Sequence, residues 1–262
     1  MKLKMKTAFV LLFSLVHLQI FADDKTPVSG SSYFQAVEEY KLKNYTKSVE
    51  LLKILLTEGK ATYESYALLA YNYDKLGDFE NAYSSIQEAR KRKSDDENLA
   101  RDMLGILAHF KKWKAVIELC EKFVPLYSSN AEIRYFYALA LASRGADKVA
   151  LSQIEKAKAN HPNDVRFLEL EGKIYYSMKS YEKADVSLRW ASSINEKSPS
   201  VWNNLALVQE AMYYQNIKLG KKKDAVNYLE EARLCIQRAE NLNPNQTSIK
   251  ENSRRISAIP SA

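Results

Sequence analysis

Residues 63–96 read YESYALLAYNYDKLGDFENAYSSIQEARKRKSDD, and their pattern decides the fold. Tyr66, Leu69, Ala70 and Tyr73 fall at i, i+3, i+4 and i+7, one face of an amphipathic helix. Gly77-Asp78 ends that helix, with the glycine free to adopt the left-handed backbone conformation a helix C-terminus favours. After Phe79, a partner helix shows Ala82, Ile86 and Ala89 on its inner face. The stretch therefore predicts two antiparallel helices joined by a tight turn.

Stepping outward by 34 residues in either direction finds the same pattern. Counted from Ser29, the eighth slot of successive units holds Ala36, Ala70, Leu104, Ala138, Gly172 and Ala206. The twentieth holds Ser48, Ala82, Val116, Ala150 and Ala184, and the twenty-fourth holds Leu52, Ile86, Cys120, Ile154 and Leu188. Self-similarity at a fixed period of this length predicts a solenoid, in which each unit packs mainly on its neighbours. Small residues at these slots have a steric reason, because two helices approach closely only where side chains are small at the crossing. Ala70 facing Ala82 and Gly172 facing Ala184 are the expected crossings. The first unit is weaker, with Gln35 and Glu39 at inward slots of its first helix.

The order of slots resembles the tetratricopeptide repeat, and the resemblance runs from Ser29 to Gln246. It implies an all-α fold: an α-solenoid of about six antiparallel helix pairs forming a right-handed superhelix. The units lie near 29–62, 63–96, 97–130, 131–164, 165–198 and 199–246. Departures from the family pattern are Arg134 and Glu171 at slots usually apolar, and Lys43, Lys111 and Lys179 where the turn often has glycine. The sixth unit carries about 14 extra residues, which predicts two helices each about two turns longer, with Gly220 at the tip. Beyond the solenoid, residues 247–262 predict a frayed tail or at best a short capping helix.

Composition is compatible with this reading. The chain has 262 residues with only 7 Gly and 6 Pro, too few to punctuate a loop-rich fold. Lys2, Lys4 and Lys6 precede an apolar run from Ala8 to Phe21, followed by Ala22 and then Asp23-Asp24. That arrangement predicts a secretory signal peptide over residues 1–22, with an uncleaved membrane anchor as the alternative. Residues 23–30 form a flexible lead-in to the solenoid at 31–246. The expected location is the periplasm or the cell exterior. The formal charge of +7, three of it in that leader, is too mild to point to nucleic acid.

The chemistry-bearing residues are sparse. The three histidines are His17, His109 and His161, and the cysteines are Cys120 and Cys235. None shows metal-ligand spacing, and the chain contains no phosphate-binding glycine loop or nucleophile elbow. Cys120 and Cys235 stand three units apart, tens of ångströms in a solenoid with helix axes about 8–10 Å apart. A disulfide needs Cα atoms within about 7 Å, so both read as small core residues. No enzymatic activity, no cofactor and no small-molecule substrate is expected.

Partner binding is the functional expectation. By the family resemblance, the first helix of each unit lines a concave groove that holds a protein or peptide. The slots facing it contain Tyr71, Arg101, His109, Tyr135, Leu139, Arg166, Lys173, Tyr176, Asn203 and Leu207. Arg101 suits the basic clamp by which some relatives grip a terminal carboxylate, but Gly105 and Phe136 replace its polar groups. Ile133, Tyr135, Phe136, Tyr137 and Leu139 make the first helix of the fourth unit apolar almost all round. Either neighbouring units cover it, or Tyr135 and Leu139 form an exposed strip in the groove. Two basic clusters remain. Arg90-Lys91-Arg92-Lys93 sits at a helix C-terminus, where the helix dipole favours cations. Lys221-Lys222-Lys223 caps the long hairpin beside Tyr213, Tyr214, Ile217 and Leu219. That hairpin is either packed on itself or a docking element with Tyr213, Tyr214, Ile217 and Lys222 as contacts. The broader alternative to a scaffold or adaptor is a structural subunit of an envelope assembly or secretion complex.

Overall fold

A computed structural model describes residues 30–260; the expected signal peptide at 1–22 and most of the lead-in at 23–30 lie outside the described residues. Among the described residues there are thirteen α-helices and no strand. They form two compact units, one of residues 30–136 and one of residues 137–260.

The first unit contains α1 (Gly30–Lys41), α2 (Tyr45–Thr57), α3 (Tyr63–Leu76), α4 (Phe79–Arg92), α5 (Glu97–His109) and α6 (Trp113–Leu126). Each helix packs against the next in sequence, and α1 also touches α3, the first helix of the following pair. The division between the units falls within α7 (Ala131–Ser143). The second unit continues with α8 (Asp147–Lys158), α9 (Val165–Ser177), α10 (Tyr181–Ile194), α11 (Pro199–Lys218), α12 (Lys222–Leu242) and α13 (Thr247–Ser257). Here too neighbours in sequence pack together, and α11 touches both α9 and α13. The chain is an all-α solenoid of tandem helix pairs.

The repeating slots form the core. Ala36, Leu52, Ala70, Ala82, Ile86, Cys120, Ile154, Ala184 and Leu188 are fully buried. Ser48 is buried where other units carry alanine or valine, and its polarity is satisfied. Its hydroxyl donates to the Ala36 carbonyl at 2.7 Å and accepts from Asn72 Nδ2 at 2.9 Å. A buried hydroxyl without such partners would cost about 1–3 kcal/mol. In the first helix the inward face is Tyr33, Ala36 and Val37, while Gln35 is exposed and Glu39 pairs with Lys47 at 2.5 Å. The inward placement expected of Gln35 and Glu39 is therefore one residue out of register. The same face of an α-helix can be reached by i+3 or i+4 steps, and the apolar side chains take it.

Gly172 meets a different partner from the one expected. A Cβ built on it would lie 2.5 Å from Leu188 Cγ, so the close approach is to Leu188, one helical turn beyond Ala184. The usually apolar slot at Glu171 is satisfied by charge and hydrogen bonding, with Lys158 at 2.9 Å and Ser187 Oγ at 2.8 Å. Cys120 and Cys235 are free, buried thiols. Burial raises both thiol pKa values, that of Cys235 to about 12.

Six turns within helix pairs share one geometry whether glycine or lysine occupies the tip. Gly77, Gly145 and Gly220 have φ of 77°, 80° and 73°, and Lys43, Lys111 and Lys179 have 64°, 56° and 60°. In each, the following N–H reaches the carbonyl five residues back, as in Asp78 N to Tyr73 O and Ser180 N to Tyr175 O, both 2.9 Å. These bonds satisfy helix-end carbonyls that would otherwise be orphaned. Left-handed backbone costs a residue with a Cβ roughly 1–2 kcal/mol, which the three lysines bear.

The sixth pair is the long one. Helix α11 has 20 residues and α12 has 21, against 13 and 14 in α9 and α10. Gly220 turns between them. The extension has its own small core, in which Tyr213, Ala225, Leu229 and Ile259 are buried together. The C-terminal segment is therefore docked through residue 259 rather than frayed. Ile249 and Ile256 of α13 join the main core, and Arg233 Nη2 donates to the Ile259 carbonyl at 2.5 Å. Three isoleucines, two in the main core and Ile259 in the core of the extension, supply the apolar area, roughly 25 cal/mol per Å² buried, that keeps it in place.

Candidate functional site

The first-helix face of the unit at 30–136 is occupied by its own charges. Asp74 on α3 and Asp102 on α5 are both buried. The Tyr71 hydroxyl donates to Asp102 Oδ2, and Arg101 donates to Asp102 Oδ1 from Nε at 3.0 Å and Nη2 at 2.8 Å. Arg101 also donates to Asn98 Oδ1 at 2.9 Å and lies 3.4 Å from the Glu132 carboxylate. His109 Nδ1 is 2.6 Å from Asp74 Oδ1, and Lys75 is 3.7 Å from Asp74 Oδ2. The Tyr40 ring of α1 lies 6.5 Å from that of Tyr71. Burial, then the Asp102 charge, raises the Tyr71 hydroxyl well above its ordinary value. Burial, then Tyr45 and the carboxylates of Asp74 and Asp102, lifts Tyr40 to about 12.

This arrangement changes the standing of two candidates. Arg101 was expected as a groove residue in contact with a partner. Instead it is buried and neutralises Asp102, the adjacent residue. Tyr71 is likewise committed to Asp102, while His109 stays largely exposed beside Asp74. Buried charges persist only when paired, so the pairing follows from burying Asp74 and Asp102.

On α7, Ile133, Phe136 and Leu139 are buried and Tyr135 is half-buried. Leu139 therefore contributes no exposed strip, and of the two readings of this helix the covered one holds for it. Leaving so much apolar surface in water would forfeit the free energy that its burial supplies.

In the unit at 137–260 most of the remaining candidates are bound up internally. Arg166 grips Asp164, the N-cap of α9, at 2.7 Å from Nη2. Burial alone would raise the Asp164 carboxyl, and the Arg166 hydrogen bonds and charge bring it below the ordinary range. Lys173 pairs with Glu169 at 2.6 Å, and Glu169 also accepts from Ser200 and Asn204. Asn203 accepts from Asn252 Nδ2 at 2.8 Å, and Leu207 is buried. Tyr176 is half-buried, its ring 5.7 Å from that of Tyr181. On the hairpin, Tyr213 is buried and Ile217 partly so in the local core, whereas Tyr214 and Lys222 are exposed. Self-packing thus claims two of the four hairpin candidates.

The cluster Arg90–Lys93 is held by aromatic rings as well as by the helix end. Arg90 stacks over Phe123 at 4.7 Å, Arg92 over Tyr66 at 4.0 Å and Lys93 over Tyr63 at 4.5 Å. Cation–π contact of this kind stabilises by about 0.5–1 kcal/mol at exposed positions.

A feature that sequence reasoning missed lies in the second unit. The end of α9, the turn after it, the start of α10 and the distal half of α11 border an open cavity of about 630 Å³. Tyr176, Lys179, Tyr181, Tyr214, Gln215 and Lys218 line it, together with Arg255 of α13 and the Glu210 carboxylate it is bonded to. Its origin is a length mismatch. Helix α9 stops at Ser177 while α11 runs on to Lys218, so the distal part of α11 overhangs a shorter neighbour. A sequence signal for it existed in the extended hairpin together with the lysine at turn position 179.

No family model matches the chain, and no curated protein matches it. Solved structures do. A MamA fragment, residues 41 to the end, from Desulfovibrio magneticus RS-1 is 18% identical with a TM-score of 0.54, covering 71% of this chain and 97% of that one. The C-terminal part of a TPR repeat-containing protein from Cytophaga hutchinsonii is 16% identical with a TM-score of 0.57, covering 84% and 98%. Human IFIT1, solved as a dimer with m7Gppp-AAAA, is 16% identical with a TM-score of 0.62, covering 84% of this chain and 54% of that one. At these identities the likeness concerns the fold, which is that of tetratricopeptide-repeat proteins.

Proposed function

We propose that this chain is a scaffold that holds a protein partner against the first-helix face of its second unit, outside the cytoplasm. The open cavity beside α9 and α11 carries this reading. The equivalent face of the first unit is closed by its own ion pairs, and a concavity with unsatisfied lining is where a partner gains most. The solenoid architecture supports the reading, since repeat proteins present extended surfaces of this kind for binding. Export rests on Lys2, Lys4 and Lys6 ahead of the apolar run ending at Ala22. Nucleic acid is the weaker candidate, because the cavity has few cations and a phosphate chain needs many.

A photocrosslinking residue placed at Tyr214 in the full chain, expressed in its native host, tests the scaffold. The expected result is one discrete cross-linked protein species, absent when the residue is placed at exposed Glu118 on α6. No species at Tyr214 would overturn the reading.

One observation favours the alternative, a structural subunit of a larger assembly. Val186, Trp190 and Ile194 are exposed at i, i+4 and i+8 along α10, an apolar stripe on the second helix of its pair. Cross-links from position 186 without any from 214 would favour that alternative.

A further inference from the structure

The cavity also carries the chemistry of its occupant. Lys179 and Lys218 line it, and neither side chain makes an ion pair or hydrogen bond among the described residues. Arg255 is already matched by Glu210 and by Asn252 Oδ1 at 3.1 Å. The lining therefore has an excess of two positive charges, Lys179 on the α9–α10 turn and Lys218 at the end of α11. The rings of Tyr176, Tyr181 and Tyr214 line the same cavity, the last nearly half exposed. Gln215 also lines it, its side-chain carbonyl buried and without a donor among the described residues.

We infer that this cavity binds an acidic peptide segment of the partner protein, one that carries an aromatic or aliphatic side chain between its carboxylates. The carboxylates meet Lys179 and Lys218, and the apolar side chain lies among the three tyrosines. Unpaired cations flanking aromatic surface give both the steering and the anchor that such a segment needs. The volume falls within the ~300–1,000 Å³ of ordinary ligand pockets, enough for a few side chains and too little for a folded domain. A phosphate chain fits less well, because the Glu210 carboxylate stands in the wall and only two cations are free. The inference rests on the scaffold reading and names the class of partner segment at one end of that face.

The test is an array of short peptides built from Glu and Asp around a single Phe or Leu. Binding of the full chain is measured by fluorescence anisotropy beside matched arrays with Gln and Asn in place of the acids. Acidic members should bind at least ~10-fold more tightly than their neutral counterparts, with the difference shrinking as salt rises. Lys218→Glu alone should remove most of that preference, and Lys179→Glu/Lys218→Glu should remove it entirely. Tyr214→Ala should weaken acidic and neutral members alike. Lys156→Glu, an equal charge change at an exposed position of α8 outside the cavity, should leave binding unchanged. Equal affinity for acidic and neutral arrays, or an unchanged preference in Lys218→Glu, overturns the inference. So does a poly(A) oligonucleotide that competes for the site and loses affinity in the same variants. If peptide binding fails while cross-linking from position 214 still captures a partner, the ligand class is wrong and the scaffold stands; if both fail, the scaffold falls as well.

Discussion

The first-helix faces of the two units are built on the same repeat slots and do opposite things with charge. In the first unit Asp74 and Asp102 are buried, and Tyr71, Arg101 and His109 are drawn in to satisfy them. In the second unit Lys179 and Lys218 border a cavity whose lining acid, Glu210, is taken by Arg255, so neither lysine is paired. The difference comes from helix length. Where first helices are of similar length, as α3 with 14 residues and α5 with 13, polar side chains on neighbouring turns can reach one another and close the face. Where one helix overshoots, as α11 overshoots α9, there is no opposing turn to supply a partner.

The largest expected effect tests the closed face. Asp102→Ala strips Arg101 of its main partner and leaves a buried charge, which should destabilise by about 3 kcal/mol, near the low end for such pairs because Glu132 remains close. Lys218→Ala, its counterpart at the open face, should stay within ~0.5 kcal/mol. Similar urea midpoints for the two variants would erase the distinction between the faces.

Next in size is the slot occupied by Ala70 in one unit and Gly172 in the other. Gly172→Ala should destabilise by about 1–3 kcal/mol through overpacking, because the added Cβ would sit 2.5 Å from Leu188 Cγ and Leu188 is fully buried. Ala184→Leu, another inward change in that unit, should cost about as much, whereas Glu182→Leu on the exposed face should be close to neutral. A thermally neutral Gly172→Ala would mean that α9 and α10 can slide apart.

Smaller still are the turns. Lys43→Gly, Lys111→Gly and Lys179→Gly should each stabilise by about 0.5–1 kcal/mol, the relief of left-handed strain less the entropy glycine adds to the unfolded chain. A loss of stability at any of the three would point to side-chain packing by that lysine.

Below pH 10 the stability difference between the native chain and Tyr40→Phe should not change with pH. The Tyr40 hydroxyl is raised from 10.0 to about 12 in the fold, so folding favours its neutral form. Its contribution is fully present below pH 10 and is lost as pH rises through the folded value near 12. Unfolding midpoints of the native chain should fall across that window more steeply than those of Tyr40→Phe, measured by far-UV circular dichroism.

The architecture was legible because its signal is redundant. Ala36, Ala70, Ala138 and Ala206 recur at one slot, and the same few contacts must recur in every unit. The long hairpin was legible for a related reason, since an interruption in a regular period announces itself. The fate of Arg101 was not legible, although its partner is the next residue in the chain. Adjacent helical residues point about 100° apart, and only the burial of both side chains makes them meet. The link between Asp74 and His109 spans 35 residues, close to one repeat, so a search for opposite charges one period apart would have found it. The cavity was signalled only indirectly, by the long hairpin, because Tyr176, Lys179, Tyr214 and Lys218 come from three elements and its walls are set by where α9 stops. The cap at 247–257 was legible only as an alternative to a frayed tail, because Ile249, Ile256 and Ile259 look sparse in sequence and are buried in two different cores.

The lengths of α11 and α12 have a consequence for how such a chain can be edited. Each exceeds its counterpart in the preceding pair by seven residues, 20 against 13 and 21 against 14. Seven residues are two helical turns to within ~20°. Growth by that quantum leaves every side chain beyond the insertion facing the direction it faced before, whereas adding five would swing the far half of each helix to the wrong side. Excising seven residues from both helices should therefore return an ordinary unit that still folds and lacks the overhang. The hairpin behaves as a module that evolution or a designer can lengthen or shorten in steps of a heptad, and each step resets the depth of the recess beside it.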